Sequence, residues 1–334
     1  MASTSESAPT GDGGLFREPS GRPRKGWRLA CYLVLVLGAT GVAAALAGDR
    51  LPANLLAHAV IAVTAVGLAY LFRRFVDRRP WADIGLSRWR PRDALVGFGA
   101  GTASLAAVFV AARALGWVRV TGTELGERAP AAVLALLAAG HFMYAASAVM
   151  QEVAFRGYAL QTLAEGWPLR RAAVVSSLIF VLPHFSGVPA APLLAPILTA
   201  DLMLMAGFFV LTRLGTGSLW LAVGFHTAWN WTMDTVLSMD TDAATDYGNA
   251  LIHVRDQAPA LGLGPGQATE WLYLANSAVL FTGAWLVVRR RRAPHGPARP
   301  SADGPASHGA APHSNSPDGP GPHGSAWVGA GSDR

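Results

Sequence analysis

The chain has 334 residues, 51% of them hydrophobic and only 14% charged, where soluble domains carry about 25% charged residues. Its mean hydropathy of +0.31 includes two polar ends, so the composition argues against a soluble enzyme and against a disordered core, while the lone Cys31 excludes a disulfide scaffold and a cysteine-based zinc site. The net charge of +6 resides in 26 Arg and a single Lys, and membrane topology explains it without nucleic acid.

Residues 1–26, rich in Ser, Gly, Pro and charge, read as a disordered cytoplasmic tail ending in the basic cluster Arg22, Arg24, Lys25 and Arg28. Apolar runs near the roughly 20 residues that cross a bilayer follow at about 29–48, 51–72, 94–115, 131–155, 171–189, 192–212, 216–237 and 269–288. The expected fold class is all-α: a polytopic membrane helix bundle of about eight transmembrane helices over 27–292. Ala45-Leu46-Ala47 resembles a signal-peptide cleavage site, but the apolar run and the tail before it are long for one, so the first run reads as a retained helix. Gly97-x-x-x-Gly101 in the third run either permits a close helix contact or arises by chance in an Ala/Gly-rich chain.

The cluster before the first run, the Arg-rich loop 73–92 and Arg289-Arg290-Arg291-Arg292 all fall on one side of an eight-span bundle. The positive-inside bias makes that side cytoplasmic, with both termini on it. Loop 238–267, with Asp240, Asp242 and Asp246, falls outside, and Arg113 and Arg119 are mild exceptions. Arg-rich, Lys-poor usage fits a high-GC bacterium, so the expected location is the bacterial cytoplasmic (inner) membrane. Residues 293–334 read as a second disordered tail of Gly, Pro, Ala, Ser and His, its four widely spaced histidines reading as composition, with a metal-binding tail as the alternative.

Ionisable residues inside spans are costly and usually face the bundle or a wet cavity. Here they are His58, His141, Glu152, Arg156, His184, Asp201, His226 and, near an end, Asp234. Glu152 and Arg156 stand four apart and can pair on one helix face. Pro183 before His184 can bend the fifth span. His226 and Asn230 share a face and can donate two hydrogen bonds to a developing oxyanion. A His–carboxylate pair can activate water as a general base. Glu152, His184 and His226 can equally ligate zinc with one position open, and the residues alone do not choose between the two. His141 reads as bundle polarity, Asp201 as lining a cavity or pairing with another helix, and His58 has no evident partner.

Together these pieces resemble the CPBP intramembrane protease family, also called Abi, which includes the type II CAAX prenyl endopeptidases. The family pattern of Glu-Glu-x-x-x-Arg, Phe-x-x-x-His and His-x-x-x-Asn reads here as Gln151-Glu152…Arg156, Phe180…His184 and His226…Asn230, over about residues 130–235. The resemblance implies hydrolysis of a peptide bond inside the membrane. It implies a leading Glu and the His184 position activating water, His226 and Asn230 stabilising the oxyanion, and Arg156 bracing the acidic pair. The implied partners are the lipid bilayer and a hydrophobic or membrane-anchored peptide, with no nucleic acid. Zinc is the one candidate cofactor, and the oligomeric state is left open.

The sequence departs from the pattern at its leading position, where Gln151 stands instead of Glu. A carboxamide is no general base at neutral pH. Glu152 lies about 100° further around the helix, so it serves as base only if the helix is rotated or locally distorted, with Gln151 orienting the water. The alternative is a catalytically inactive relative that binds a membrane peptide or confers bacteriocin immunity. A small transporter ranks lower, since no inverted repeat is evident. On straight helices Glu152 sits near the cytoplasmic end of its span and His184 far along the next, so a re-entrant or interfacial elbow at 157–170 is expected to bring them together.

Overall fold

The computed structural model describes residues 15–47, 50–185, 194–239, 250–257 and 267–292, so Asp240, Asp242, Asp246 and the tail 293–334 lie outside the described residues. The elements in chain order are α1 (Lys25–Ala47), α2 (Leu51–Leu71), α3 (Pro91–Ala114), β1 (Val118–Thr123), α4 (Pro130–Glu152), α5 (Leu160–Ala164), α6 (Leu169–Val181), α7 (Leu194–Thr216), α8 (Trp220–Asn230), β2 (Ile252–Asp256) and α9 (Gln267–Arg292). The all-α membrane bundle read from the apolar runs is the observed architecture. Helices dominate because a span in lipid must satisfy its backbone hydrogen bonds within itself. Proline within the first two positions starts α2, α3 and α4, where its missing N–H costs nothing.

Six helical stretches are long and apolar enough to cross a membrane among the described residues. The remaining two runs are shorter. The 13-residue α6 ends in a four-residue 3-10 turn, Leu182–Phe185. The 11-residue α8 passes into a six-residue π-helix, Trp231–Val236. These two carry His184 and His226.

The elbow expected at 157–170 is corrected. α4 does not stop below the surface; it continues through a π-helix, Val153–Ala159, into α5, giving one 35-residue rod from Pro130 to Ala164. Only residues 165–168 turn before α6. Glu152 therefore lies about 18 Å of helix above the end of this rod, and His184 about 22 Å above the start of α6, at 1.5 Å per residue. A longer helix, not a re-entrant one, makes the two levels comparable.

The pair Gly97 and Gly101 does mediate a close helix contact. A Cβ on Gly97 would lie 2.2 Å from the Leu221 carbonyl oxygen, and one on Gly101 2.5 Å from that of Phe225. Gly224 answers from α8, where a Cβ would sit 2.1 Å from the Ala94 carbonyl oxygen. α3 and α8 thus meet backbone to backbone, as small residues allow, and this contact holds the helix that carries His226.

At the Lys25 end of α1 lies a buried ion network. Arg28 donates to Asp77 at 2.6 Å and to Glu165 at 3.1 Å. Arg73 reaches Asp77 at 3.1 Å, Glu165 at 2.9 Å and Asp83 at 2.8 Å. The Tyr158 hydroxyl donates to Asp77 at 3.3 Å, and Arg213 of α7 donates to the Asp83 carbonyl at 2.7 Å. Arg28, Arg73 and Asp77 are all but fully buried. Arg28 and Arg73 are thus structural, a role beyond the topological one their positions suggest. They join α1, the end of α2 and the rod, and with Tyr32 buried at the core, α1 is an integral part of the bundle.

At the other end, β1 and β2 form a two-stranded antiparallel sheet, Val118 opposite Asp256 and Thr123 opposite Ile252, with an irregularity between Val120 and Gly122. Across it His253 and Glu124 are 2.9 Å apart, and Arg128 also pairs with Glu124. Those two bonds, from His253 and then Arg128, hold the Glu124 carboxyl below the usual carboxylate range.

Gly224→Ala forces a methyl group against backbone that has no side chain to move, so it should cost about 1–3 kcal/mol, the usual penalty of overpacking. Gly99→Ala meets nothing within 4 Å and should be neutral or slightly stabilising; thermal unfolding in detergent compares the two. Burial raises the Glu165 carboxyl, but the Arg28 and Arg73 guanidiniums outweigh it and hold it below the usual carboxylate range. Its folded state therefore favours the ionised form, and its contribution is complete above the unfolded value of about 4.3 and fades as pH falls below it. Glu165→Gln should flatten that acid limb in a pH series of melting temperatures.

Candidate active site

Gly157 lies on the rod beside Leu219, the residue that precedes α8. A Cβ there would lie 3.0 Å from Ile84 Cγ2 and 3.4 Å from Leu219 Cδ1. Glu152 stands five residues before Gly157 on the rod, and His226 seven residues after Leu219, about two turns along α8. Glu152 is fully buried. Its Oε1 accepts from Nη1 of Arg156 at 3.3 Å and from Nδ1–H of His226 at 2.9 Å. Among the described residues, Oε2 has no hydrogen-bond partner.

Arg156 is 1% exposed and lies between two aromatic faces, 4.2 Å from the Phe180 centroid and 5.0 Å from that of Phe209. The ring faces attract the guanidinium in this buried position, and it pairs with the Glu152 carboxylate. Phe209 also stacks on the His226 imidazole, with centroids 5.1 Å apart and planes at 17°. Phe180 touches the opposite side of the site, at 6.3 Å from His226 and 4.7 Å from His184. The two histidines thus flank one phenylalanine.

The hydrogen bonds define both tautomers. A carboxylate and a carbonyl can only accept, so Nδ1 carries the proton in each ring. In His226 it points at Glu152. In His184 it points at the Phe180 carbonyl, 2.9 Å away. Both neutral rings then hold their lone pair on Nε2, the position a general base uses.

Gln151 is half-buried and donates to Ser147 Oγ at 3.3 Å, while its Oε1 is buried without a hydrogen-bond partner among the described residues. A π-helix begins at Val153, directly after Glu152, and such segments recur at functional sites. It follows Glu152, however, and leaves Gln151 on the neighbouring face. Asn230 is half-buried at the end of α8, one turn from His226. The structure therefore unites Glu152, Arg156 and His226 directly and joins His184 to them through Phe180.

Among the described residues, no three His, Cys, Asp or Glu side chains form a group that could hold a metal ion. The possible zinc set Glu152, His184 and His226 is not such a group in this arrangement.

The other ionisable residues of the spans lie apart. His58 bonds to the Asn54 carbonyl of its own helix at 2.8 Å. His141 is exposed and contacts the rings of Phe98 and Trp231. Asp201 is half-buried on α7 and lies near Ser277 of α9. Phe209 is the site residue that sequence reasoning missed: within an apolar run nothing marks one phenylalanine as the partner of a buried cation and an imidazole.

Residues 130–232 match the Rce1-like family of type II CAAX prenyl endopeptidases. The resemblance carried by the three motifs is borne out over that stretch, which contains every residue of the site. Comparison with curated proteins and with solved structures gives no match. The chain is a multi-pass membrane protein with a CAAX-protease-like domain between α4 and the end of α8.

The geometry predicts that ¹⁵N spectra of neutral His226 show a protonated Nδ1 and a bare Nε2. Glu152→Ala should release the ring from that tautomer. It should also cost about 3–5 kcal/mol of stability, since it strands a buried guanidinium.

Proposed function

We propose that this protein is an intramembrane endopeptidase of the CAAX-protease type in a bacterial cytoplasmic membrane, with both termini cytoplasmic. Its substrate is a hydrophobic or membrane-tethered peptide. The observation that carries the reading is the buried Glu152 carboxylate holding Nδ1–H of His226 at 2.9 Å. A carboxylate in that position fixes the imidazole tautomer and stabilises the imidazolium formed when Nε2 takes a proton.

In this reading Glu152 acts through His226 and does not touch the water itself. His226 Nε2 takes the proton as water attacks the scissile carbonyl and later returns it to the leaving amine. Arg156 pairs with Glu152 at 3.3 Å and holds the carboxylate in place. The carboxamides of Asn230 and Gln151, both half-buried, donate to the oxyanion or orient the water. His184, locked by the Phe180 carbonyl, presents a second Nε2. The roles differ from those implied by the family pattern, in which a leading Glu works with the His184 position, because here that Glu is Gln151.

A second reading, binding without hydrolysis, is favoured by the same Gln151. The test is cleavage of a hydrophobic peptide library by purified protein in lipid, read by mass spectrometry. Wild type should yield products, and His226→Gln and Glu152→Gln should lower their rate at least about 100-fold, the usual share of general acid–base catalysis. Cleavage that survives both substitutions overturns the mechanism. Cleavage that appears only after Gln151→Glu establishes the binding reading instead.

A further inference from the structure

One hydrogen bond fixes where an imidazole points, but it leaves the ring free to turn about that bond. Glu152 Oε1 holds the Nδ1–H of His226 at 2.9 Å, so the plane of the ring is set by another contact. Phe209 of α7 makes it. Phe209 stacks on the imidazole with centroids 5.1 Å apart and planes at 17°. Phe180 does not supply this constraint, since it meets His226 farther away, at 6.3 Å, and at 76°. With direction and plane both set, Nε2 has one orientation.

Phe209 is itself fixed. It is 2% exposed, and two neighbouring rings meet it at steep angles: Phe225, the residue before His226, at 5.9 Å and 73°, and Phe208 at 5.5 Å and 50°. Two residues earlier α7 runs close to α9, where a Cβ on Gly207 would lie 2.7 Å from a ring carbon of Phe281. The Arg156 guanidinium lies 5.0 Å from the Phe209 centroid, and Arg156 and His226 also share Oε1 of Glu152. The carboxylate thus takes the N–H groups of both, and the ring takes the flat side of the imidazole. An electron-rich face also suits an imidazolium better than an aliphatic side chain would.

We propose that Phe209 is a positioning residue for the general base: it holds the plane of His226, fixing the direction of Nε2, and stabilises the imidazolium that forms when Nε2 takes a proton. The proposal rests on the role given to His226 above. It assigns a mechanistic part to α7, which carries none of the three sequence motifs.

The test compares Phe209→Leu with Phe208→Leu in the full chain in lipid. Both remove a phenyl ring from the same helix, but Phe208 meets the rings of Phe209 and Phe225 rather than that of His226. Histidine is ¹⁵N-labelled, and the His226 signals are assigned by their loss in His226→Gln. Wild type and Phe208→Leu should each show one sharp pair of ring-nitrogen signals. Phe209→Leu should broaden or split that pair through ring motion, and Phe209→Tyr, which keeps the face, should restore it. Phe209→Met, which fills more of the lost volume, should act as Phe209→Leu does and serves where leucine fails to fold. In peptide cleavage Phe209→Leu should lower kcat about tenfold or more at nearly unchanged KM, within the roughly 100-fold cost of misplacing a reacting group by about 1 Å, and Phe208→Leu far less. A single sharp His226 pair in Phe209→Leu and Phe209→Met, or equal effects of the two leucine variants on signal and kcat, overturns the proposal. A wild type that cleaves nothing overturns the proposed function instead, and the spectra then decide whether Phe209 holds the ring.

Discussion

A carboxylate cut off from water keeps its charge only if cations and donors replace the hydration it lost. Glu152 meets that condition through Arg156 on its own helix and His226 on another, both on Oε1. The rest of the site is arranged around this need. Phe180 and Phe209 supply faces to the guanidinium, and Phe209 stacks on the imidazole. The glycine contact between α3 and α8 seats the helix that delivers His226. A shift of α8 by the width of one methyl group would therefore reach the Glu152–His226 bond, although Gly224 touches neither residue.

Two short helices solve the problem of depth. α6 and α8 carry the histidines, and neither reaches the length of a full span as regular α-helix. Irregular backbone at membrane depth is tolerated only where protein buries it or a wet cavity faces it. The 3-10 turn at His184 and the π-helix after Asn230 fall at the ends of those two helices, and the π-helix after Glu152 is buried along its whole length. The long rod then compensates, placing Glu152 well above the basic end of the bundle, where the ion network of Arg28, Arg73, Asp77 and Glu165 ties it to α1 and α2.

The spans and the site residues were legible because lipid imposes long apolar runs and makes each buried charge conspicuous. Glu152, Arg156, His184 and His226 stood out as ionisable residues within apolar runs, and Asn230 by its place one turn from His226. The rod beyond Glu152 was not legible, since Tyr158, Leu160 and Leu163 suit an interfacial elbow as well as a helix. The β1–β2 sheet was missed because its strands lie far apart in the chain, with no hairpin turn between them. Arg28 and Arg73 read as topological signals, because composition cannot tell a guanidinium that meets the cytoplasm from one that meets Asp77. Gly97 and Gly101 were ambiguous until Gly224, with no spacing relation to them, supplied the other half of the contact.

Gln151 gives the strongest argument about mechanism. With an amide at the leading position, the acid that remains is fully buried and already bonded to a base. Stability does not explain this arrangement: replacing a buried ion pair with apolar residues of like volume is often neutral or stabilising. What Glu152 and Arg156 supply, and an apolar pair would not, is a fixed imidazole tautomer with Nε2 available beside a second histidine held the same way. That arrangement suits the general base proposed for His226, and binding a hydrophobic peptide does not by itself call for it.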